Sequence, residues 1–402
     1  MAFMSNFTGV GIGFYAFGVF FKPLAEHFGW SRALVGWGPG VSLVVASVFA
    51  PLVGRNVDKF GMRPLLMAGS AAAGLSLALL GMMTNLWHYL FLFGVMYSIA
   101  NLHMGDIVTG STIARRFLAK RGAALGIATV GVSFGGVVMP PFAQWIMDNW
   151  DWRTAFVALG AAAVFLVFIP AMLFLRNLPP LPEENSLTTI PNSYDSERSW
   201  TRSEALSSAR FWKLVFVFGL GYLPLGTMLV QQVPFLTDPD FGLSPSRAAL
   251  VLSFTAAMGM VGKVFWGAMF DRMEGRWTVA CSLAMQAISI WWLLQTKSFT
   301  GAIMFGLFFG LGMGGLVPMH TALRVRQFGV KHIGAIMGIS SPITMLAQAG
   351  GQPLAGWIFD TTGTYRAAFY LFIVVQLTAI LIVITLRDPK RPARRTEKHP
   401  IP

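Results

Sequence analysis

Apolar runs of about twenty residues follow one another along this chain, separated by short polar joints rich in Gly, Pro and charge. Each run is long enough to cross a bilayer as a helix. We place twelve spans at roughly 3–24, 33–53, 64–84, 88–111, 122–146, 153–175, 211–236, 245–268, 277–296, 299–321, 333–358 and 367–386. One stretch breaks the rhythm. Residues 177–209 carry Pro179, Pro180, Pro182, Glu183, Glu184, Pro191 and Asp195 and read as a polar linker of mostly irregular chain. The chain is therefore expected to be an all-α membrane protein with 12 transmembrane helices. A six-helix bundle over 1–176 and another over 210–387 flank the linker, and a basic tail spans 388–402.

Composition agrees: 55% of the 402 residues are hydrophobic and 12% are charged, where a soluble domain carries about 25% charge. The net charge of +13 raises the question of nucleic acid, and its distribution answers against it. With both termini in the cytoplasm, the inner joints and tail hold 23 of the 30 Lys and Arg, the asymmetry expected of a polytopic helical protein. The basic surface then meets anionic lipid, with no nucleic acid as a partner. The first span begins almost at Met1 and no cleavable signal peptide is evident. Cys281 is the single cysteine and cannot form an intrachain disulfide. His88, His103, His320 and His332 are scattered over separate segments, so no metal-ligand spacing appears and no cofactor is expected.

The joint Gly54-Arg55-Asn56-Val57-Asp58-Lys59-Phe60-Gly61-Met62-Arg63-Pro64 has a looser copy at Gly267-Ala268-Met269-Phe270-Asp271-Arg272-Met273-Glu274-Gly275-Arg276. Two copies some two hundred residues apart imply two related halves. The glycines suit a tight turn, Asp58 suits a helix N-cap, and Arg63 offers a bidentate fork at the membrane surface. We read Gly54, Asp58, Lys59, Gly61, Arg63, Gly267, Asp271, Arg272 and Arg276 as a gate that locks two bundles together in one state.

The first copy resembles the signature between helices 2 and 3 of the major facilitator superfamily. The resemblance narrows to its monocarboxylate porter and oxalate–formate antiporter-like group. It continues through Phe20-Phe21-Lys22-Pro23 to Trp30-Ser31-Arg32, through Phe117, Arg121, Ala124, Gly126, Gly131 and Gly135, and through Gly356-Trp357-Ile358-Phe359-Asp360. It implies two pseudo-symmetric six-helix bundles in the cytoplasmic (inner or plasma) membrane, rocking about a central site. Departures exist. The helix-1 lysine of the animal porters is Tyr15 here, and their helix-8 Asp/Arg pair is Gly259 and Lys263.

Two charges stand inside the spans, Asp106 and Lys263, at a cost of about 2.5–3.5 kcal/mol each on insertion scales. Both lie roughly 12–14 Å from the inner charged joints, so they share a depth. Lys263 reads as a carboxylate-binding cation, or as the structural partner of Asp106, or as a snorkelling lysine. Asp106 reads as the proton-coupling site, or as one partner of His103 three residues earlier. His103, Asn101, Tyr15 and Tyr222 are polar groups that either orient a small anion or satisfy a neighbouring backbone group. Gln231, Gln232 and Pro234 mark an expected break near the outer end of helix 7.

No phosphate-cradling loop, nucleophile triad or soluble catalytic domain appears, which argues against ATP-driven transport and enzymatic work. The leading expectation is a secondary transporter of small organic anions, monocarboxylates foremost, moved with a proton or against a counter-anion. An exporter of apolar drugs or metabolites and a non-transporting membrane receptor stay open as alternatives.

Overall fold

The computed structural model describes residues 1–116, 121–175, 200–329 and 333–386; the side chains of Asp58, of residues 114–116 and 121–125, and of residues 334 and 335 lie outside that description. Twelve long helices are present among the described residues. They are α1 (Ala2–Phe28), α2 (Arg32–Phe60), α3 (Met62–Leu80), α4, α5 (Arg121–Asn149), α6 (Trp152–Phe174), α7 (Ala209–Thr237), α8 (Pro245–Arg272), α9 (Gly275–Gln295), α10 (Phe299–Phe328), α11 (Ile333–Thr362) and α12 (Arg366–Ile384). Helix α4 has a first piece through Leu86–Tyr89, Leu90–Tyr97 and Ser98–Met104 and a second at Asp106–Arg116. A helix satisfies its own backbone groups in hydrocarbon, and with helices of this length and apolarity this is an integral membrane protein.

Because the helices alternate in direction, α1 begins and α12 ends on one face, the terminal face. Four of the six helix starts on the far face are capped by side chains, and those of α8 and α12 are not. Ser31 accepts from Leu34 N at 3.3 Å, Asn85 from His88 N at 2.9 Å, Asp151 from Thr154 N at 2.7 Å and Ser298 from Gly301 N at 3.0 Å. The Thr154 amide holds the exposed Asp151 carboxyl below the usual carboxylate range.

The structure revises several boundaries. The charged joint after α2 is almost entirely helical: α2 runs to Phe60 and α3 starts at Met62, leaving Gly61 alone as the turn, at φ 77°. Polar residues end an apolar run without ending a helix, because outside the hydrocarbon Arg55, Asn56 and Lys59 keep their backbone bonds and solvate their side chains. Asp58 consequently lies in the last turn of α2, and α3 has no side-chain cap. Helix α7 passes through Pro234 unbroken to Thr237. Residue 176 and residues 177–199 of the linker lie outside the described residues. In its last part a capping box between Thr201 and Glu204 starts a short helix, Arg202–Ser207, and Trp200 N donates to the Phe328 carbonyl at 3.0 Å. The basic tail 388–402 also lies outside them.

The two halves meet along α2 against α11 and along α5 against α8, related positions in the two bundles. Glycine permits these crossings. A Cβ on Gly36 would stand 2.9 Å from the Gln352 carbonyl oxygen, and one on Gly136 would stand 2.7 Å from Ala256 Cβ. Toward the terminal face both seams lose their cover. Val44 and Val48 follow Gly36 and Gly40 on one face of α2 and are exposed, as are Ile127 and Val130 on α5.

Within the second half, α8 and α10 approach until a Cβ on Gly314 would stand 2.3 Å from the Gly259 carbonyl oxygen and 2.8 Å from Lys263 N. Gly314→Leu should therefore destabilise the protein by about 1–3 kcal/mol through overpacking, seen as a lower melting temperature. An unchanged melting temperature contradicts the close approach.

Candidate functional site

Helices α1, α4 and α6 of the first half carry wide π-type turns, at Gly11–Ala16, Leu90–Tyr97 and Val164–Phe168. Such turns loosen the carbonyl ladder and cluster at functional sites. Helix α4 then breaks outright at Gly105, whose backbone is extended (φ −83°, ψ −171°). The break leaves the Met104 carbonyl without a helical partner, and the buried Ser5 hydroxyl of α1 donates to it. It also makes Asp106 the first residue of a new helix, where the dipole favours a negative group.

Asn6 of α1, fully buried, donates through Nδ2 to Asp106 Oδ1 at 2.8 Å and to the Ala128 carbonyl of α5 at 3.1 Å. Asp106 itself remains accessible. Asp106 is thereby tied to α1 and, through Asn6, to α5. Lys263 of α8 reaches the same helix from the other half: its Nζ donates to the buried Ser133 hydroxyl at 2.8 Å. Ala128 and Ser133 are separated by about 7.5 Å along α5. Asp106 and Lys263 form no contact ion pair. On the α1–α5 contact Phe134 packs against two rings of α1, 5.9 Å from Phe3 and 5.7 Å from Phe7.

The other sequence candidates distribute around this centre. Asn101 of α4 abuts Gly9 of α1, with its Oδ1 buried and unbonded. Tyr15 is buried against Gly136 of α5. Tyr222 of α7 stands edge-on to His320, ring centres 5.5 Å apart. His103 is turned elsewhere: its Nδ1 is 2.7 Å from the carbonyl of Ile99 on its own helix, and its Cβ lies against Gly69 of α3. The break at Gly105 rotates Asp106 off the face that His103 shares, so the expected pair between them does not form.

At the terminal face the gate candidates bond only within their own half among the described residues. Arg63 donates to the Met172 carbonyl of α6 at 3.0 Å. Arg276 meets Glu274 at 2.7 Å and the Ile384 carbonyl of α12 at 3.4 Å. Lys59, Asp271 and Arg272 are exposed, and a Cβ on Gly54 or Gly267 would meet nothing within 4 Å. The side chain of Asp58 lies outside the described residues.

The far face is where charges join the halves, a cluster that reading the sequence missed. Arg32, at the start of α2, forks onto Asp238, at the end of α7, through bonds of 2.8 and 2.5 Å. Lys22 donates to the Thr237 carbonyl at 3.1 Å and lies 3.9 Å from Asp238. Asp360 of α11 accepts from the Arg32 and Ala33 amides, both at 2.9 Å. Ser246 of α8 donates to Asp148 of α5 at 2.7 Å. In the sequence Lys22, Arg32 and Asp360 stood only in motifs of the family resemblance and Asp148, Asp238 and Ser246 were unmarked, with no signal of partnership across 98 to 328 residues. Asn6 and Ser133 were neutral polar residues in apolar runs and equally unmarked.

A family profile described as the Major Facilitator Superfamily matches residues 3–260 and 227–401, and the chain belongs to that superfamily. It is a membrane transporter, not an enzyme. It is 25% identical to monocarboxylate transporter 13 of Rattus norvegicus over 382 residues, covering 92% of this chain and 84% of the relative. An uncharacterised MFS-type transporter of Bacillus subtilis, YcxA, is 24% identical over 95% of this chain and 92% of its own. The fold is similar to that of a bacterial homolog of the human lysosomal transporter Spinster in its inward-facing, occupied conformation. That match has a TM-score of 0.71, 17% identity, and covers 96% of this chain and 95% of the other.

Proposed function

We propose that the chain carries small organic anions, monocarboxylates foremost, through a site between Lys263 and Asp106, coupled to a proton or to a counter-anion. One observation carries this reading: the Lys263 ammonium, deep between the halves, is bonded to a neutral hydroxyl instead of a carboxylate. A buried ammonium without a counter-charge is unfavourable, and a substrate carboxylate supplies one. Asp106, held by one neutral amide, is free to exchange a proton. The resemblance to relatives named monocarboxylate transporters supports the class.

In this reading the terminal face is cytoplasmic, since the joints on that side hold most of the Lys and Arg, and the protein stands in the inner or plasma membrane. The conformation is then closed outside by Arg32 and Asp238 and splayed inside, and the carrier works by alternating access. The terminal-face motif rejoins the halves in the opposite state. The cluster of rings formed by Phe3, Phe7 and Phe134 on α1 and α5 favours a second reading, an exporter of apolar compounds.

Thermal shift of the purified protein separates the two. Pyruvate should raise the melting temperature and tetraphenylphosphonium should not. Lys263→Gln should weaken pyruvate binding by about 1.5–3 kcal/mol, the worth of a charge-assisted hydrogen bond, which is roughly ten- to a hundredfold. Lys263→Arg should keep much of the binding. Unchanged affinity in Lys263→Gln would remove the anion site and leave the apolar-compound exporter.

A further inference from the structure

A second buried cation stands in the C-terminal half. Arg324 of α10 is 1% exposed. Its Nη1 donates to the carbonyl of His320, one turn earlier, at 3.1 Å, and its Nη2 is buried with no acceptor. The guanidinium carbon lies 5.1 Å from the Phe218 ring centre. The His320 ring, edge-on to Phe218 at 4.7 Å and to Tyr222 at 5.5 Å, has its Nε2 buried and likewise unbonded. No Asp or Glu pairs with Arg324 among the described residues. Tyr222 is half-buried and is the member of the group that reaches open space.

A ring face offsets little of a guanidinium's lost hydration, and an unmade bond to a buried charged donor is costly. We propose that Arg324 and His320 form a second anion site, which takes a small carboxylate on Nη2 and on His320 Nε2 in the tautomer that carries its proton there. The aromatic enclosure limits the ligand to a few heavy atoms. Arg324 is four residues from the end of α10 and Lys263 nine from the end of α8, so at 1.5 Å per residue it lies about 7 Å nearer the terminal face. A carboxylate held there is staged between the central site and that face. The proposal rests on the small-anion reading for its ligand class alone.

The test uses the full chain in detergent, titrated with sodium pyruvate or sodium chloride at equal ionic strength and followed by thermal unfolding. Arg324→Met removes an unpaired charge and should raise the melting temperature without pyruvate, by about 2–4 °C. It should also weaken pyruvate binding roughly tenfold, while Arg324→Lys keeps part of it. Lys263→Gln should retain the Arg324-dependent part of the pyruvate shift. A lower melting temperature in Arg324→Met means that the guanidinium has a protein partner and overturns the site. So does unchanged pyruvate affinity, or a chloride shift equal to that of pyruvate, or no pyruvate shift in the wild type. Loss of binding in Lys263→Gln but not in Arg324→Met overturns this inference alone; the reverse overturns the Lys263 reading alone.

Discussion

Asp238→Asn should open the far face. The Arg32–Asp238 pair is the strongest polar tie between the halves: two bonds of 2.8 and 2.5 Å, with side chains 13% and 10% exposed. Such a pair is neither a surface ion pair of negligible worth nor a fully dry one. Bidentate guanidinium–carboxylate geometry is the favourable kind. Arg32 also stacks on Phe359, 3.7 Å from the ring centre, which fixes the fork. Removing the carboxylate charge should cost the closed state about 1.5–3 kcal/mol, and Lys22 is left with Glu26, at 3.8 Å, as its acidic partner. A change of that size moves a two-state equilibrium roughly ten- to a hundredfold. Spin labels on the far ends of α2 and α7, in protein with Cys281 replaced by Ser, should show a distance population several ångströms longer in Asp238→Asn. Asp360→Asn should have a smaller effect, because it removes charge from bonds to backbone amides. Identical distance distributions in wild type and Asp238→Asn would mean that the pair does not close the face.

Asp106→Asn should abolish uphill accumulation under an imposed pH gradient while counterflow exchange survives. Asp106 is an accessible carboxylate at the helix break, bonded to Asn6 Nδ2 at 2.8 Å. If it is the proton site, an asparagine mimics its protonated form: substrate is still carried, and no proton travels with it. The bond to Asn6 Nδ2 can be kept by the amide oxygen of Asn, so folding should survive. Loss of exchange and accumulation together assigns Asp106 to structure, and an intact response to the gradient moves the proton site elsewhere.

The architecture was legible in the sequence because bilayer thickness constrains it. An apolar run near twenty residues has few other uses, and charge asymmetry counts the crossings. Asp106 and Lys263 stood out for the same reason. The sequence was poor at showing where a helix ends. The apolar run of α10 stops near 321, so Arg324 was counted with the loop charges, yet the helix continues to Phe328 and buries it. Three-residue spacing put His103 and Asp106 on one face; Gly105 undid that, and a glycine in a membrane helix is too common to mark a break. Arg32 and Asp238 were illegible because their partnership depends on how two halves dock.

The central claim is that a carboxylate pairs with Lys263 during transport. Its most direct test is uptake of labelled pyruvate into proteoliposomes loaded with unlabelled pyruvate, comparing wild type, Lys263→Gln and Lys263→Arg at equal protein content. Wild type should exchange, Lys263→Arg should retain much of that rate, and Lys263→Gln should need roughly ten- to a hundredfold more pyruvate for half-maximal exchange. Exchange by Lys263→Gln at the wild-type half-saturating concentration contradicts the account.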